Sequence, residues 1–334
     1  MAGQLLDALI AVVSGIGVCV LYFAGSNYLL ERIFSDAEGF STSKDQWRSA
    51  IQPWLFLAPA LFLLCVYLVY PVFETIRLSF FNFGGFDFVG LKNYIWAFNN
   101  PEFMQAIINN LLWLVFVPTL SVVFGLLVAV LADKVSWGTI AKSLIFMPMA
   151  ISFVGASVIW KFVYDYRGPD IEQIGSLNAF VMLFGAEPQA WITLPFWNNF
   201  FLMVILIWIQ SGFAMMIFSA ALRGIPEESL EAARIDGANE IQIFFKIMIP
   251  QIVVTIMVVW TTITIIVLKV FDIVLAMTNG QWNTEVLANL MFNWMFRGGG
   301  DSGRGSVIAL MIMFAVIPIM IWNISNFRKE EEGR

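Results

Sequence analysis

The sequence predicts an all-α, polytopic membrane protein, and three observations carry that prediction. Hydrophobic residues make up 60% of the 334 residues and charged residues only 13%, whereas a soluble domain carries about 25% charge. The mean hydropathy is +0.81. Seven stretches, near 5–30, 51–73, 107–131, 143–164, 199–222, 249–276 and 306–325, are mainly apolar. Each has about the 20 residues that a helix needs to cross the hydrocarbon core.

The same composition excludes several function classes. A net charge of −6 and the lack of basic clusters argue against nucleic acid. There is no His, hence no His metal ligand, general base or proton relay. Cys19 and Cys65 each fall in an apolar span and are expected to be packing residues and not a disulfide or metal pair.

In chain order, the first stretch has no Lys or Arg before it, contains Asp7, and is followed by no small-residue cleavage site. It reads as a retained helix and not a signal peptide. Residues 1–50 are therefore an extra helix plus a polar linker, Glu31–Ala50, expected to be a flexible connector. The segment 74–106 holds Gly84-Gly85 and the run Phe86-Asp87-Phe88-Val89-Gly90-Leu91-Lys92-Asn93-Tyr94. An extended, aromatic-rich piece suits the membrane interface, where Tyr and Trp prefer to sit. Contact with an external partner is the other reading.

The connection 165–198 contains Pro169, Pro188 and Pro195 with Trp191 and Trp197, and Trp191–Pro195 reads as the start of a short re-entrant or interfacial helix. The connection 277–305 holds Thr278-Asn279-Gly280 and then a glycine run from Arg297 to Ser306. That run has no Gly-Lys-Ser/Thr ending and no preceding strand, so it is not a phosphate loop. It is expected to be mobile and polar, with docking to an external binding protein and a plain loop both open.

Orientation follows from Lys and Arg in the connections. One set holds Arg32, Lys44, Arg48, Lys134, Lys142, Arg223, Arg234, Lys246, Arg328, Lys329 and Arg334, eleven in all. The other holds Arg77, Lys92, Arg167, Arg297 and Arg304, five in all. The first set is expected to be cytoplasmic, with the N-terminus outside and the C-terminus inside. The tail 326–334 then lies in the cytoplasm.

One polar stretch between two spans reads as two short helices folded at a glycine. Pro226 suits a first helical position, and Glu227 and Glu228 lie in the first turn, where the helix dipole favours anions. Asp236-Gly237 is a stop-and-turn signal. A second helix restarts near Asn239 and exposes Ile241, Phe244, Phe245 and Met248 along one face. The outcome is a knob shaped for another protein's groove.

Here the sequence resembles a family. Glu231-Ala232-Ala233, Gly237, Ile247 and Pro250 stand at the spacings of the cytoplasmic coupling loop of bacterial ABC importer permeases, with Ile249 in place of the pattern's Leu. The Phe88–Tyr94 run, Asn198-Asn199-Phe200 and Phe271-Asp272 are also similar to sugar permeases of that family, and the resemblance covers about residues 50–325. It implies a MetI-like permease core over 51–325, with a coupling loop at 223–250. Within that loop Glu231, Ala232, Ala233, Asp236, Gly237 and Pro250 are implied as the ATPase-coupling residues. It further implies a second permease subunit, two ATP-binding subunits, and a periplasmic or lipid-anchored solute-binding protein at the bacterial inner membrane. ATP and Mg belong to the partner ATPases, and this chain itself holds no cofactor or metal.

Polar groups at membrane depth are costly unless they pair or line a watery path. Trp208, Gln210 and Ser211 interrupt the fifth span, and Trp260, Thr261, Thr262 and Thr264 the sixth. Lys269 and Asp272 follow, three apart on one expected helical face and placed to pair. Amides and hydroxyls with aromatic rings suit a sugar, so Trp208, Gln210, Trp260, Thr264, Lys269 and Asp272 are the candidate solute residues. Helix packing is the rival for each. The resemblance is nearest to α-glucoside permeases, with a polyol, glycosylated osmolyte or sulfonated sugar as alternatives. A self-sufficient secondary carrier is a remote alternative, and a membrane enzyme has no support, because no nucleophile stands beside a base.

Overall fold

The computed structural model of the chain describes residues 2–34, 42–168, 171–298 and 300–332. Among them the backbone is helical apart from turns, loops and one isolated antiparallel bridge, Phe81 to Phe88. This is the all-α architecture expected where each backbone polar group needs an internal partner.

The helices run as α1 Ala2–Phe34, α2 Thr42–Leu64, α3 Tyr70–Ser79, α4 Lys92–Asn99, α5 Pro101–Ala132, α6 Gly138–Phe146, α7 Phe153–Val163 and α8 Ser176–Leu183. They continue as α9 Trp197–Arg223, α10 Glu227–Ile235, α11 Glu240–Ile243, α12 Ile249–Leu268, α13 Asp272–Met277, α14 Leu287–Phe296 and α15 Ser302–Glu332. Joined helices make six spans among the described residues: Gly3–Phe34, Trp47–Ser79, Pro101–Ala132, Trp197–Arg223, Glu240–Leu268 and Ser302–Trp322. The expected fourth span, 143–164, is a broken pair, Gly138–Ala150 and Phe153–Val163, bent by 108°. Pro148 lies in the 3-10 turn Met147–Ala150 at the break, and Ser152 caps the restarted helix by accepting from Gly155 N at 3.1 Å.

Two joins are π turns, Cys65–Val69 and Phe244–Met248, and each ends two residues before a proline, Pro71 and Pro250. A proline inside a helix lacks the N–H and its ring clashes with the carbonyl four residues back. Widening that turn lets the helix continue.

The chain forms two compact units, residues 1–74 and 75–334. In the first, α1 packs on α2: Tyr22 donates its hydroxyl to Leu55 O at 2.8 Å, and the Phe23 and Phe56 rings stack at 5.7 Å. Cys19 and Cys65 are free thiols and not a disulfide, as expected, and both are exposed. The linker Glu31–Ala50 is shorter than expected, because α1 reaches Phe34 and α2 begins at Thr42. Its remaining residues, 35–41, lie outside the described residues, as do Pro169 and Gly299.

In the second unit α5 and α9 approach through small residues. A Cβ on Gly125 would lie 2.5 Å from Ala214 Cβ, and, where α9 meets α6, one on Gly212 would lie 2.4 Å from Ile145 O. This is the small-residue packing that brings helix backbones together in lipid. The buried core between them includes Trp113, Val117, Leu202, Leu206, Ile209 and Met215, joined by Ile263 and Val267 of α12.

A satellite cluster seats the aromatic run. Asn93 donates its amide to Ser79 O at 3.0 Å and Phe81 O at 2.7 Å, and the Tyr94 and Ser79 hydroxyls share a 2.8 Å hydrogen bond. The run is thus a pinned turn followed by a helix, not an extended strip. Arg304 lies 4.7 Å over Trp96 and 5.0 Å over Trp294. Asp301 accepts from Arg304 N at 2.9 Å, which caps α15. Over residues 301–306 the glycine run expected to be mobile is therefore a capped helix start.

Candidate functional site

The hairpin forms as its sequence demands. α10 ends in a Schellman motif: Gly237 has φ +83, its N–H donates to Arg234 O at 3.1 Å, and Ala238 N donates to Ala233 O at 3.0 Å. No atom lies within 4 Å of a Cβ placed on Gly237, so only backbone conformation demands glycine there. Asn239 and Gln242 then form a capping box: Gln242 N donates to Asn239 Oδ1 at 2.8 Å and Asn239 N to Gln242 Oε1 at 2.9 Å. Pro226 is the cap of α10 and not its first residue.

The exposed apolar ridge differs from the expected one. Ile235 is 86% exposed, Ile241 71% and Phe245 61%, whereas Phe244 and Met248 turn inward against the core. Ala233 is also buried. Glu231, Ala232 and Asp236 stay exposed, and Arg234 Nε pairs with Glu240 Oε1 at 3.2 Å across the fold.

At this hairpin end an ionic cluster, missed in the sequence, ties three helix ends together. The buried Lys142 of α6 donates to Asp133 Oδ1 at 2.6 Å and to Ser219 Oγ of α9. Arg223 Nη2 donates to the same Asp133 oxygen at 3.2 Å. Burial alone would raise the Asp133 carboxyl, but the Lys142 and Arg223 hydrogen bonds and charges outweigh it and hold it below the usual carboxylate range. Lys142 entered the sequence reading only as a topology charge.

The candidate solute residues are only partly brought together. Gln210 is 4% exposed, 13 residues from each end of α9. Trp208 packs edge-on against Trp160 of α7 at 5.8 Å, while Trp260 turns to Trp322 of α15 at 6.3 Å. The hydroxyls of Ser211, Thr261, Thr262 and Thr264 donate back to Ile207, Met257, Val258 and Trp260 carbonyls at 2.6–2.8 Å, the packing alternative. The Lys269–Asp272 pair is corrected. The helix stops at Leu268, Lys269 is its cap at φ −107, and Asp272 opens α13. The two are therefore on different helices, and no ion pair joins them among the described residues.

The far end holds the most polar assembly, built by asparagines from two spans. Asn109 Nδ2 donates to Asn283 O and Glu285 O, both at 2.8 Å. Asn198 Nδ2 donates to Trp282 O at 2.7 Å, and Asn110 Oδ1 accepts from Leu287 N at 2.8 Å. Glu285 Oε1 accepts from Asn289 Nδ2 at 2.7 Å and from Val286 N at 3.0 Å. Burial pushes the Glu285 carboxyl up to about 7; the Glu102 charge adds to this, and the Asn289, Val286 and Asn293 hydrogen bonds oppose it. Asn109-Asn110 inside an apolar span was the signal that sequence reasoning passed over.

A family model described as "Binding-protein-dependent transport system inner membrane component" matches residues 94–323. The chain is 64% identical over 333 residues to the alpha-glucoside transport system permease protein AglF of Rhizobium meliloti, covering 99% of each protein. It is 53% identical over 280 residues to the osmoprotective compounds uptake permease protein GgtC of Synechocystis sp., covering 84% of this chain and 100% of that one. A crystal structure of a bacterial ABC transporter involved in alginate import superposes with a TM-score of 0.73 at 19% identity. That match covers 85% of this chain and 99% of the other and is a likeness of fold.

Proposed function

The chain belongs to the family of binding-protein-dependent transport inner membrane components, as a multi-pass permease subunit of an ABC importer, and from that premise we propose that its solute is an α-glucoside or related disaccharide. The observation that carries the transport mechanism is the exposed hairpin: two short helices, a glycine turn at Gly237 and an unpartnered apolar ridge at Ile235, Ile241 and Phe245. A helix-in-groove contact with an ATPase suits that ridge. In this reading Glu231 meets a basic group on the ATPase, Ala232 allows close approach, and Asp236 and Gly237 set the bend. Pro250 begins the span that receives the motion.

Two partner ATPases hold ATP and Mg, and their closure rocks the spans around the solute between two accessible states. A second permease subunit completes the pathway and a solute-binding protein delivers the sugar. The hairpin end is cytoplasmic and the N-terminus outside, a reading supported by the eleven-to-five distribution of Lys and Arg. Gln210, with Trp208, Trp260 and Thr264, is the assigned solute region. Lys269 and Asp272 remain assigned to the outer end of that path as separate contacts. The 64% full-length identity to an α-glucoside permease supports the sugar class. The 53% identity to a permease for osmoprotective compounds supports a second reading, a glycosylated osmolyte.

The test is ATP hydrolysis by the purified assembly in lipid, with its binding protein and a panel of α-glucosides, polyols, glycosylated osmolytes and sulfonated sugars. Stimulation by an α-glucoside is the expected result. Stimulation confined to the other compounds overturns the sugar assignment.

A further inference from the structure

At the far end the structure holds a cavity of about 640 Å³, lined by none of the residues assigned to solute or ATPase above and within the usual range of small-molecule sites. Its wall is made by the start of α5, the loop 279–285 and α14. Glu102, Gln105, Gln281, Asn283, Glu285 and Asn293 line it, and no Lys or Arg does. An anionic ligand would face two carboxylates, while the Arg297 guanidinium beside the lining donates to Asn279 Oδ1 at 3.1 Å. Sugar hydroxyls each donate and accept, and amides beside carboxylates answer both needs. The indole of Trp282, 49% exposed at the rim, offers a face for the apolar side of a pyranose ring.

The wall is built and held. Asn279, Trp282 and Asn283 have φ of 51, 55 and 63. For Trp that conformation costs free energy and persists only where its surroundings impose it, a feature that clusters at ligand sites. Here the imposing groups are Asn109 and Asn198, which reach across from α5 and α9 to the 282, 283 and 285 carbonyls at 2.7–2.8 Å. Gly280 has φ +80, which favours glycine, and a Cβ there would lie 2.2 Å from Glu285 Oε2, so the loop passes close over the carboxylate. Asn293 lines the cavity with a buried Oδ1 that has no hydrogen-bond partner among the described residues. A buried acceptor of this kind calls for a donor.

We propose that this cavity is a second solute site, for a neutral glycoside, which the sugar contacts on the outer side before it reaches the spans. The proposal rests on the glucoside-importer reading above and adds a site to it. Gln281 and Asn293 supply amides, Glu102 and Glu285 accept hydroxyl protons in hydrogen bonds, and Trp282 stacks.

The experiment is photolabelling of the assembled importer in lipid discs, with its binding protein loaded with a diazirine-bearing α-glucoside and the labelled peptides identified by mass spectrometry. The expected result is labelling within residues 279–294 that free α-glucoside competes away and that Asn293→Leu lowers roughly tenfold, the worth of one good hydrogen bond. Should Asn293→Leu fail to assemble, Gln281→Ala, an exposed position, reads the same loss. Competable labelling confined to α9 and α12 overturns the second site and leaves the glucoside reading intact. Absence of labelling on any peptide, with no glucoside stimulating ATP hydrolysis, overturns that reading and this site with it.

Discussion

Asn109 and Asn283 stand 174 positions apart, and the amide of the first donates to the backbone carbonyl of the second at 2.8 Å. The same Nδ2 reaches Glu285 O at 2.8 Å, so one side chain within a membrane span fixes the loop that joins α13 to α14. The loop's left-handed residues and the placement of Glu285 depend on that clamp. Asn109→Leu keeps the volume and the helix but leaves the Glu285 carbonyl without this donor and Asn283 O with only the 3.4 Å contact from Asn199 Nδ2, at about 1–3 kcal/mol in all. The expected outcome is a lower unfolding temperature for the assembled complex, with faster proteolysis between residues 279 and 286. A variant as stable and as resistant as the parent would mean the loop is held by other contacts.

Glu285 gives the complex a pH dependence of defined sign. Its carboxyl titrates near 7 when folded and near the ordinary glutamate value when unfolded. Between those values the folded state binds the extra proton, so the stability contributed by this group is complete below the unfolded pKa and is lost as pH rises through about 7. Glu285→Gln removes that loss. The unfolding midpoint of the parent should fall relative to the variant between pH 5 and pH 8, by the equivalent of up to about 3 kcal/mol. Parallel curves for the two proteins would contradict the burial argument.

The legibility of this chain in its sequence divides along a physical line. Spans and the hairpin were readable because their causes are local: apolar length, Asp236-Gly237 as a stop, and a helix restart near Asn239. Six of the seven expected spans stand as single helices among the described residues, and the fourth is a pair bent by 108° at Pro148. What failed depends on which neighbour a helix face meets. Phe244 and Ile241 look alike in sequence, yet only Phe244 turns inward. Lys269 and Asp272 share a face only if the helix continues past Leu268, and it does not. The Asn109 clamp, and the contacts of Ser219 and Arg223 with Lys142 and Asp133, join residues distant in sequence, which no spacing rule reveals.

Gln210 separates solute contact from packing. Its side chain is buried at the middle of α9. Gln210→Ala should raise the solute concentration for half-maximal uptake by roughly tenfold, the loss of one hydrogen bond to a sugar, with the complex still assembled. Unchanged uptake kinetics would assign Gln210 to helix packing.

The central claim is that this subunit moves solute because its hairpin takes up the motion of partner ATPases. The most direct measurement is ATP-driven uptake of a labelled α-glucoside into vesicles carrying the complete assembly, comparing the parent with Gly237→Asn and Gly237→Leu. Gly237 sits at φ +83 with open space beside it, so the substitution changes backbone preference alone. Asn tolerates that region, and Leu resists it by about 1–2 kcal/mol. The account predicts near-parent uptake for Gly237→Asn. For Gly237→Leu it predicts an assembled complex that hydrolyses ATP but does not accumulate sugar. Full uptake by Gly237→Leu, or accumulation without ATP, would contradict it.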